Sequence, residues 1–287
     1  MTRTAQKVWF ITGASRGFGM LTAKKALARG DFVVATARDP RTVIAALGEH
    51  PHLLALRLDV KLEAQAITAA QQAVARFGRI DVLVNNAGYG LLGAVEEADA
   101  EEVRALYETN VFGLLNVTRA VLPVMRRQGS GHVMNISSVG GYSSYPGWGV
   151  YCSTKFAVEG LSEAMSAELA PLGIHATVVE PGFFRTDFLD QASLVTMRSE
   201  IGDYHGTAGA TREFAAVANH TQPGDPAKLA SALLQLADSP TPPVRLQLGS
   251  DTVQRVRAKN QLVEQEMAQW LDVATSTDHD DVVQQAA

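Results

Sequence analysis

Cysteine occurs once in 287 residues, at Cys152, so no internal disulfide can form, which fits a reducing compartment. No stretch approaches the ~20 consecutive apolar residues that a membrane-spanning helix needs. The net charge is −5 and no block of Lys and Arg stands against it, which argues against nucleic-acid or anionic-membrane partners. The seven histidines are scattered without ligand spacing, so no metal site is expected. Residues Met1 to Lys7 are too short and polar for a secretory leader, and there is no internal repeat or low-complexity tract. The expectation left standing is a soluble, cytoplasmic protein.

What is present is a 46% hydrophobic content, enough for one large core. Short apolar runs alternate with longer segments of helical period, the pattern of βαβ units and a parallel sheet covered on both faces. Seven strands are predicted, at Val8–Thr12, Phe32–Ala37, Leu53–Leu58, Val82–Asn85, His132–Ser137, Ala176–Val179 and Val244–Leu248. Helices are predicted at Gly17–Arg29, Leu62–Phe77, Ala100–Arg126, Val150–Ala170 and Pro226–Asp238, with a further helical stretch from Leu248 to Leu271. Right-handed crossovers then give a single doubly wound Rossmann-type α/β domain with a seven-stranded parallel sheet, spanning residues 1–271. The stretch from about 181 to 224 is too long for a plain connection and reads as a substrate loop. Residues 272–287 are polar and read as a flexible tail.

Four motifs punctuate this frame. Thr12-Gly13-Ala14-Ser15-Arg16-Gly17-Phe18-Gly19 follows a strand and opens a helix, where glycines permit a tight turn and free N–H groups favour a pyrophosphate. Asn85-Asn86-Ala87-Gly88 ends the fourth strand and Asn135-Ile136-Ser137-Ser138 the fifth. Tyr151 and Lys155 then share one helix face at i, i+4 spacing, where an ammonium is expected to lower the phenol's pKa. In order and context these motifs resemble the short-chain dehydrogenase/reductase family, over most of the chain.

The resemblance implies a nicotinamide dinucleotide held by Gly13, Ser15, Arg16, Gly17, Phe18 and Gly19, with Asp59 and Val60 at the adenine and Asn86, Ala87 and Gly88 beside the adenosine ribose. NAD-binding relatives carry an acidic residue at the end of the second strand, but here Ala37 is followed by Arg38. A guanidinium there, with Arg16 opposite, suits a 2′-phosphate, so NADP(H) is favoured over NAD(H). Pro181, Gly182 and Thr186 resemble the segment that packs on the nicotinamide. Catalytic roles fall to Ser138 as hydrogen-bond donor to the reacting oxygen, Tyr151 as general acid/base, Lys155 as partner of the phenol and of the nicotinamide ribose, and Asn110 as holder of a relay water.

The expected activity is interconversion of a hydrophobic ketone or aldehyde with its alcohol. An apolar lining is anticipated from Tyr89, Leu91, Leu92, Tyr142, Tyr145, Trp148, Phe183, Phe184, Phe188, Leu189 and Met197. The Asn86–Gly90 and Glu180–Thr186 segments look most like members related to hydroxysteroid and retinol dehydrogenases. Two alternatives are an NAD(P)-dependent epimerase or dehydratase, whose glycine motif is usually spaced differently, and a non-catalytic dinucleotide sensor, which would usually lack the tyrosine or lysine. A homodimer or homotetramer is expected, because family members commonly pair through the helices placed here at Ala100–Arg126 and Val150–Ala170.

Overall fold

The computed structural model describes residues 6–279. Its seven-stranded sheet uses β1 (Val8–Ile11), β2 (Phe32–Ala37), β3 (Leu53–Arg57), β4 (Val82–Asn85), β6 (Gly131–Ile136), β7 (Ile174–Pro181) and β9 (Arg245–Leu248). Their spatial order is β3-β2-β1-β4-β6-β7-β9, every pair is parallel, and the chain reverses direction across the sheet between β1 and β4. The protein is thus a single α/β Rossmann-like domain. Ligands bind such sheets beyond the carboxyl ends of the strands at that reversal.

Side chains of period two feed separate cores on the two faces. Val8, Phe10, Val34 and Leu83 enter one core, where they meet α3 (Glu63–Phe77) and α5 (Gly113–Gln128). Trp9, Ile11, Val33, Val82 and Val84 enter the other, against α1 (Gly17–Arg29) and α8 (Pro226–Ala237). In α3 the buried face is Ala66, Ala69, Ala70 and Ala73, spaced i, i+3, i+4, i+7, so small side chains let the helix lie close on the strands.

The long helix expected over Ala100–Arg126 is interrupted. It consists of α4 (Ala100–Tyr107), a π-helical turn at Glu108–Phe112, and α5. Asn110 lies within that turn, and its side chain is engaged by the backbone of Tyr89 rather than lying on a regular helix face. The 3.6-residue period does not reveal such a bulge. Helix α2 (Pro40–Leu47) was not anticipated, although Asp39 as N-cap and Pro40 in the first turn are ordinary start signals.

The stretch from 181 to 224 contains a strand, β8 (Leu194–Thr196), paired with β5 (Gly90–Leu92), and helix α7 (Ala210–Ala218). It is anchored by Glu97, which is buried and accepts from the Arg212 guanidinium at 2.8 Å and from Ile201 N at 2.9 Å. These donors, Arg212 foremost, hold the Glu97 carboxyl down to about 2. Beyond β9, the chain forms α9 (Ser250–Gln269) and α10 (Leu271–Thr275), so helix continues into the segment expected to be a flexible tail. Residues 280–287 of that tail lie outside the described residues. No helix among the described residues is long and apolar enough to cross a membrane, and helix α6 (Gly149–Leu169) completes the fold against β7.

Candidate active site

A cavity of about 610 Å³ opens at the carboxyl ends of the central strands. Its floor is the turn from β1 into α1. Gly13 sits at φ +63°, a backbone region closed to most side chains, and a Cβ on Gly19 would lie 2.5 Å from the Gly13 carbonyl oxygen. No side chain caps α1, so the N–H groups of its first turn remain available to an anion. Thr12 and Asn86 hold the turn in shape. The Asn86 amide donates to the carbonyls of Thr12 (2.9 Å) and Gly13 (3.0 Å), while Thr12 Oγ1 accepts from the N–H groups of Asn86 and Ala87.

Gly13, Ser15, Arg16, Gly17 and Phe18 line the cavity together with Arg38, Asp59, Val60, Asn86, Ala87 and Gly88. Gly19 does not line it, and instead lies buried under the turn where only a glycine fits. At the end of β2, Arg38 is exposed and has no carboxylate partner among the described residues. Asp39 is turned to other work: it caps α2 and pairs with Arg41 at 2.7 Å, and that hydrogen bond holds its carboxyl below the usual range. Arg16 departs from expectation. Its guanidinium donates to the Ala192 carbonyl (2.6 Å) and to Ser193 Oγ (2.8 Å), tying the glycine turn to the 181–224 segment instead of standing free beside Arg38.

Ser138, Tyr151 and Lys155 meet on the opposite wall. Ser138 ends the β6 connection, its hydroxyl accepting from Gly140 N at 3.0 Å, which fixes the side chain. Lys155 donates to the Ile136 carbonyl at 2.9 Å, and its ammonium lies 5.8 Å from the Tyr151 ring centre. Burial pulls the ammonium down to about 8, against the opposing charge of Glu159. The phenol does not behave as the helix spacing suggested. Burial, with the charge of Cys152 added, pushes Tyr151 well above the ordinary phenol value, and a hydrogen bond with Ser138 works the other way. In this arrangement desolvation dominates, and the ammonium is directed at the Ile136 carbonyl.

Asn110 does not line the cavity. It stands behind Gly88, accepting from Tyr89 N (3.1 Å) and donating to Tyr89 O (2.9 Å) and Thr154 Oγ1 (3.2 Å). A Cβ on Gly88 would approach Asn110 Oδ1 to 3.1 Å and Lys155 Nζ to 3.7 Å, so the amide, the glycine and the ammonium are packed as one unit.

Pro181, which ends β7, and Gly182 and Thr186 after it line the cavity. Their path is set by Asp251, in the first turn of α9, which accepts from Phe183 N at 2.8 Å and leaves no room for a side chain at Gly182. No local signal marks Asp251 for that task. Behind Lys155 lies a second unanticipated group. Arg245 stands 3.2 Å from Glu159 and 3.8 Å from Glu180, two carboxylates with almost no solvent exposure. Burial, with the charge of Glu159 added, raises Glu180 to about 7.

The end of the cavity next to Tyr151 is aromatic. Trp148 and Phe188 stand 5.5 and 5.7 Å from the tyrosine ring, and Tyr89, Tyr145, Phe183, Phe184 and Leu189 complete the wall. Leu91, Leu92 and Met197, expected there, are instead buried in the core beneath that wall. Tyr142 faces away and donates to Asn260 Oδ1. Their apolar character served packing, which composition alone does not separate from a binding wall. Among the described residues no group of three or more His, Cys, Asp or Glu could hold a metal ion.

Comparison with known proteins agrees with this architecture. Residues 7–195 match the short chain dehydrogenase family. Oxidoreductase BOA17 of Botryotinia fuckeliana is 37% identical, the match covering 94% of this chain and 99% of that one. The 3-ketodihydrosphingosine reductase of Bacteroides thetaiotaomicron is also 37% identical, over 85% and 88% of the two chains. A crystal structure of a short-chain dehydrogenase from Streptomyces avermitilis superposes with a TM-score of 0.88 at 42% identity, covering 96% of this chain and all of that one. Nucleotides occur in more distant neighbours of both kinds. One from Burkholderia phymatum is in complex with NAD (26% identity, TM-score 0.80, 93% and 97% covered), and a serine dehydrogenase is complexed with NADP+ (28%, 0.71, 84% and 94%).

Proposed function

The chain belongs to the short-chain dehydrogenase/reductase family of oxidoreductases, and on that premise we propose that it is an NADP(H)-dependent reductase of bulky apolar ketones or aldehydes. The observation that carries the reading is the union, in one cavity, of a glycine turn at a helix N-terminus with Ser138, Tyr151 and Lys155 beside an aromatic wall. The residues present fit a dinucleotide: Gly13, Gly17 and Gly88 line the cavity with bare backbone, nothing stands where a side chain at Gly17 would go, and the first turn of α1 has N–H groups to spare. When bound, the reduced nicotinamide would supply the hydride.

The chain's own groups would do the rest. Ser138 donates a hydrogen bond to the carbonyl oxygen as negative charge builds there. Tyr151, kept protonated through the neutral range by burial, gives that oxygen its proton. Lys155, charged below about pH 8, favours the phenolate left behind and would meet the ribose hydroxyls of the bound nucleotide. Asn110 holds the Gly88–Tyr89 backbone against the lysine, and its role here would be to support that backbone, with any relay water reached through it rather than from the cavity. Thr186, with Pro181 and Gly182, would orient the nicotinamide. The aromatic wall selects against small polar substrates, and the relative named as a 3-ketodihydrosphingosine reductase is consistent with a ketone substrate. Residues 1–271 would form the catalytic domain, with 181–224 as the substrate-covering segment, working as a homodimer or homotetramer in the cytoplasm. A panel of apolar ketones followed by NADPH absorbance tests the reading, and absence of turnover with every member would defeat it.

Cofactor choice rests on Arg38, since Asp39 is occupied by α2 and Arg41. Arg38→Asp is expected to lower kcat/KM for NADPH about tenfold or more while sparing NADH, because a phosphate partner becomes a repelling carboxylate. Equal kcat/KM for both nucleotides in the unmodified protein would refute NADP preference.

A further inference from the structure

Helix α9 leaves the body of the protein after its first turns. Thr252 is buried and Val256 and Lys259 are half-buried, but from residue 260 to residue 279 every side chain is exposed. Its root is held firmly. Arg255 donates to Ser143 Oγ (3.0 Å) and Ser144 O (3.1 Å) and lies over the Tyr145 ring, while Asn260 accepts from Tyr142. The projecting half carries Val263, Met267 and Trp270 at 47%, 51% and 64% exposure, costly side chains to leave in water.

These side chains are not scattered. Val253, Val256, Asn260, Val263, Met267 and Trp270 follow one another at intervals of three, four, three, four and three residues, the seam of a two-stranded coiled coil. Charge is divided about the midpoint of that seam: Arg257 and Lys259 flank it before residue 261, Glu264 and Glu266 after it. A helix built this way is complementary to itself when reversed. An antiparallel two-fold centred between residues 261 and 262 sets Val253 on the partner's Trp270, Val256 on the partner's Met267 and Asn260 on the partner's Val263. The same register sets Arg257 beside the partner's Glu264 and Lys259 beside the partner's Glu266. It also places the two bodies at opposite ends of the helix pair, each exposed end covering the other's half-buried root.

We propose that α9 is an assembly element whose partner is α9 of a second copy of this chain, paired antiparallel about a two-fold axis. The inference is independent of the oxidoreductase reading. It makes the α9 root, and through Arg255 the Ser143–Tyr145 segment beside the aromatic wall, part of the region the assembly supports.

Light scattering coupled to size-exclusion chromatography at micromolar concentration tests it. The Met267→Glu/Trp270→Glu variant is expected to halve the mass while its far-UV circular dichroism stays that of the folded chain, since both side chains lie outside the body. Lys259→Glu is expected to raise the dissociation constant about tenfold or more, and adding Glu266→Lys to restore it. A mass unaffected by Met267→Glu/Trp270→Glu overturns the proposal. So does rescue of Lys259→Glu by Glu264→Lys in place of Glu266→Lys, because that pairing belongs to parallel helices.

Discussion

Tyr151→Phe is expected to lower kcat for carbonyl reduction by about 10²–10⁴, the range a positioned general acid contributes, while the dissociation constant for NADPH changes less than twofold. The substitution removes one oxygen from a ring already packed between Trp148 and Phe188, so the wall and the fold survive it. Stopped-flow turnover beside fluorescence titration of NADPH separates the two effects. In the unmodified enzyme kcat/KM for reduction should fall as pH rises through about 8, where Lys155 loses its proton and with it the charge that favours the phenolate. Lysine and tyrosine titrate as a coupled pair, so the midpoint belongs to the site as a whole. The Phe variant should lose this limb along with its turnover. Near-normal kcat in Tyr151→Phe would show that another group supplies the proton.

Most of the frame could be read from local pattern because its causes are local. Val8–Ile11 and Val82–Asn85 are wholly buried strands and stand out as apolar runs, and the alanines of α3 fall at helical spacing. The glycine turn was legible because Gly13 and Gly19 answer a backbone need that few residues can meet. What escaped was set by distance in sequence. Arg16 looked free beside a phosphate, yet it reaches Ala192 and Ser193, some 176 residues on. The π-turn around Asn110 depends on the Tyr89 backbone, and Asp251 was invisible because its partner is the N–H of Phe183, 68 residues earlier. The phenol's acidity was misjudged for a related reason. Spacing along a helix reports that two groups are neighbours, but not how much solvent each has lost.

The same blindness hid Arg245, whose substitution should have the largest effect on stability. Glu159 and Glu180 are buried behind Lys155, and each keeps one carboxylate oxygen without a hydrogen-bond partner. Arg245 is the cation that faces both. Arg245→Met keeps much of the side-chain volume but leaves Glu180 without a cation and Glu159 with Lys155 alone, which at pH 8 should cost about 3–5 kcal/mol. For a domain of this size that is a fall of about 10 °C in melting temperature. The pH dependence identifies the cause. Glu180 has a folded-state value raised to about 7 against 4.5 for a free carboxyl, so its neutral form is the one the fold favours. Its contribution is fully present below pH 4.5 and is lost as pH rises through 7. Without Arg245 both carboxyls should hold their protons to still higher pH. The deficit of the variant should therefore shrink to about 1 kcal/mol at pH 5, where neither acid need be charged. Urea denaturation at pH 5 and pH 8 measures this difference. A deficit independent of pH would assign the role of Arg245 to packing rather than to charge.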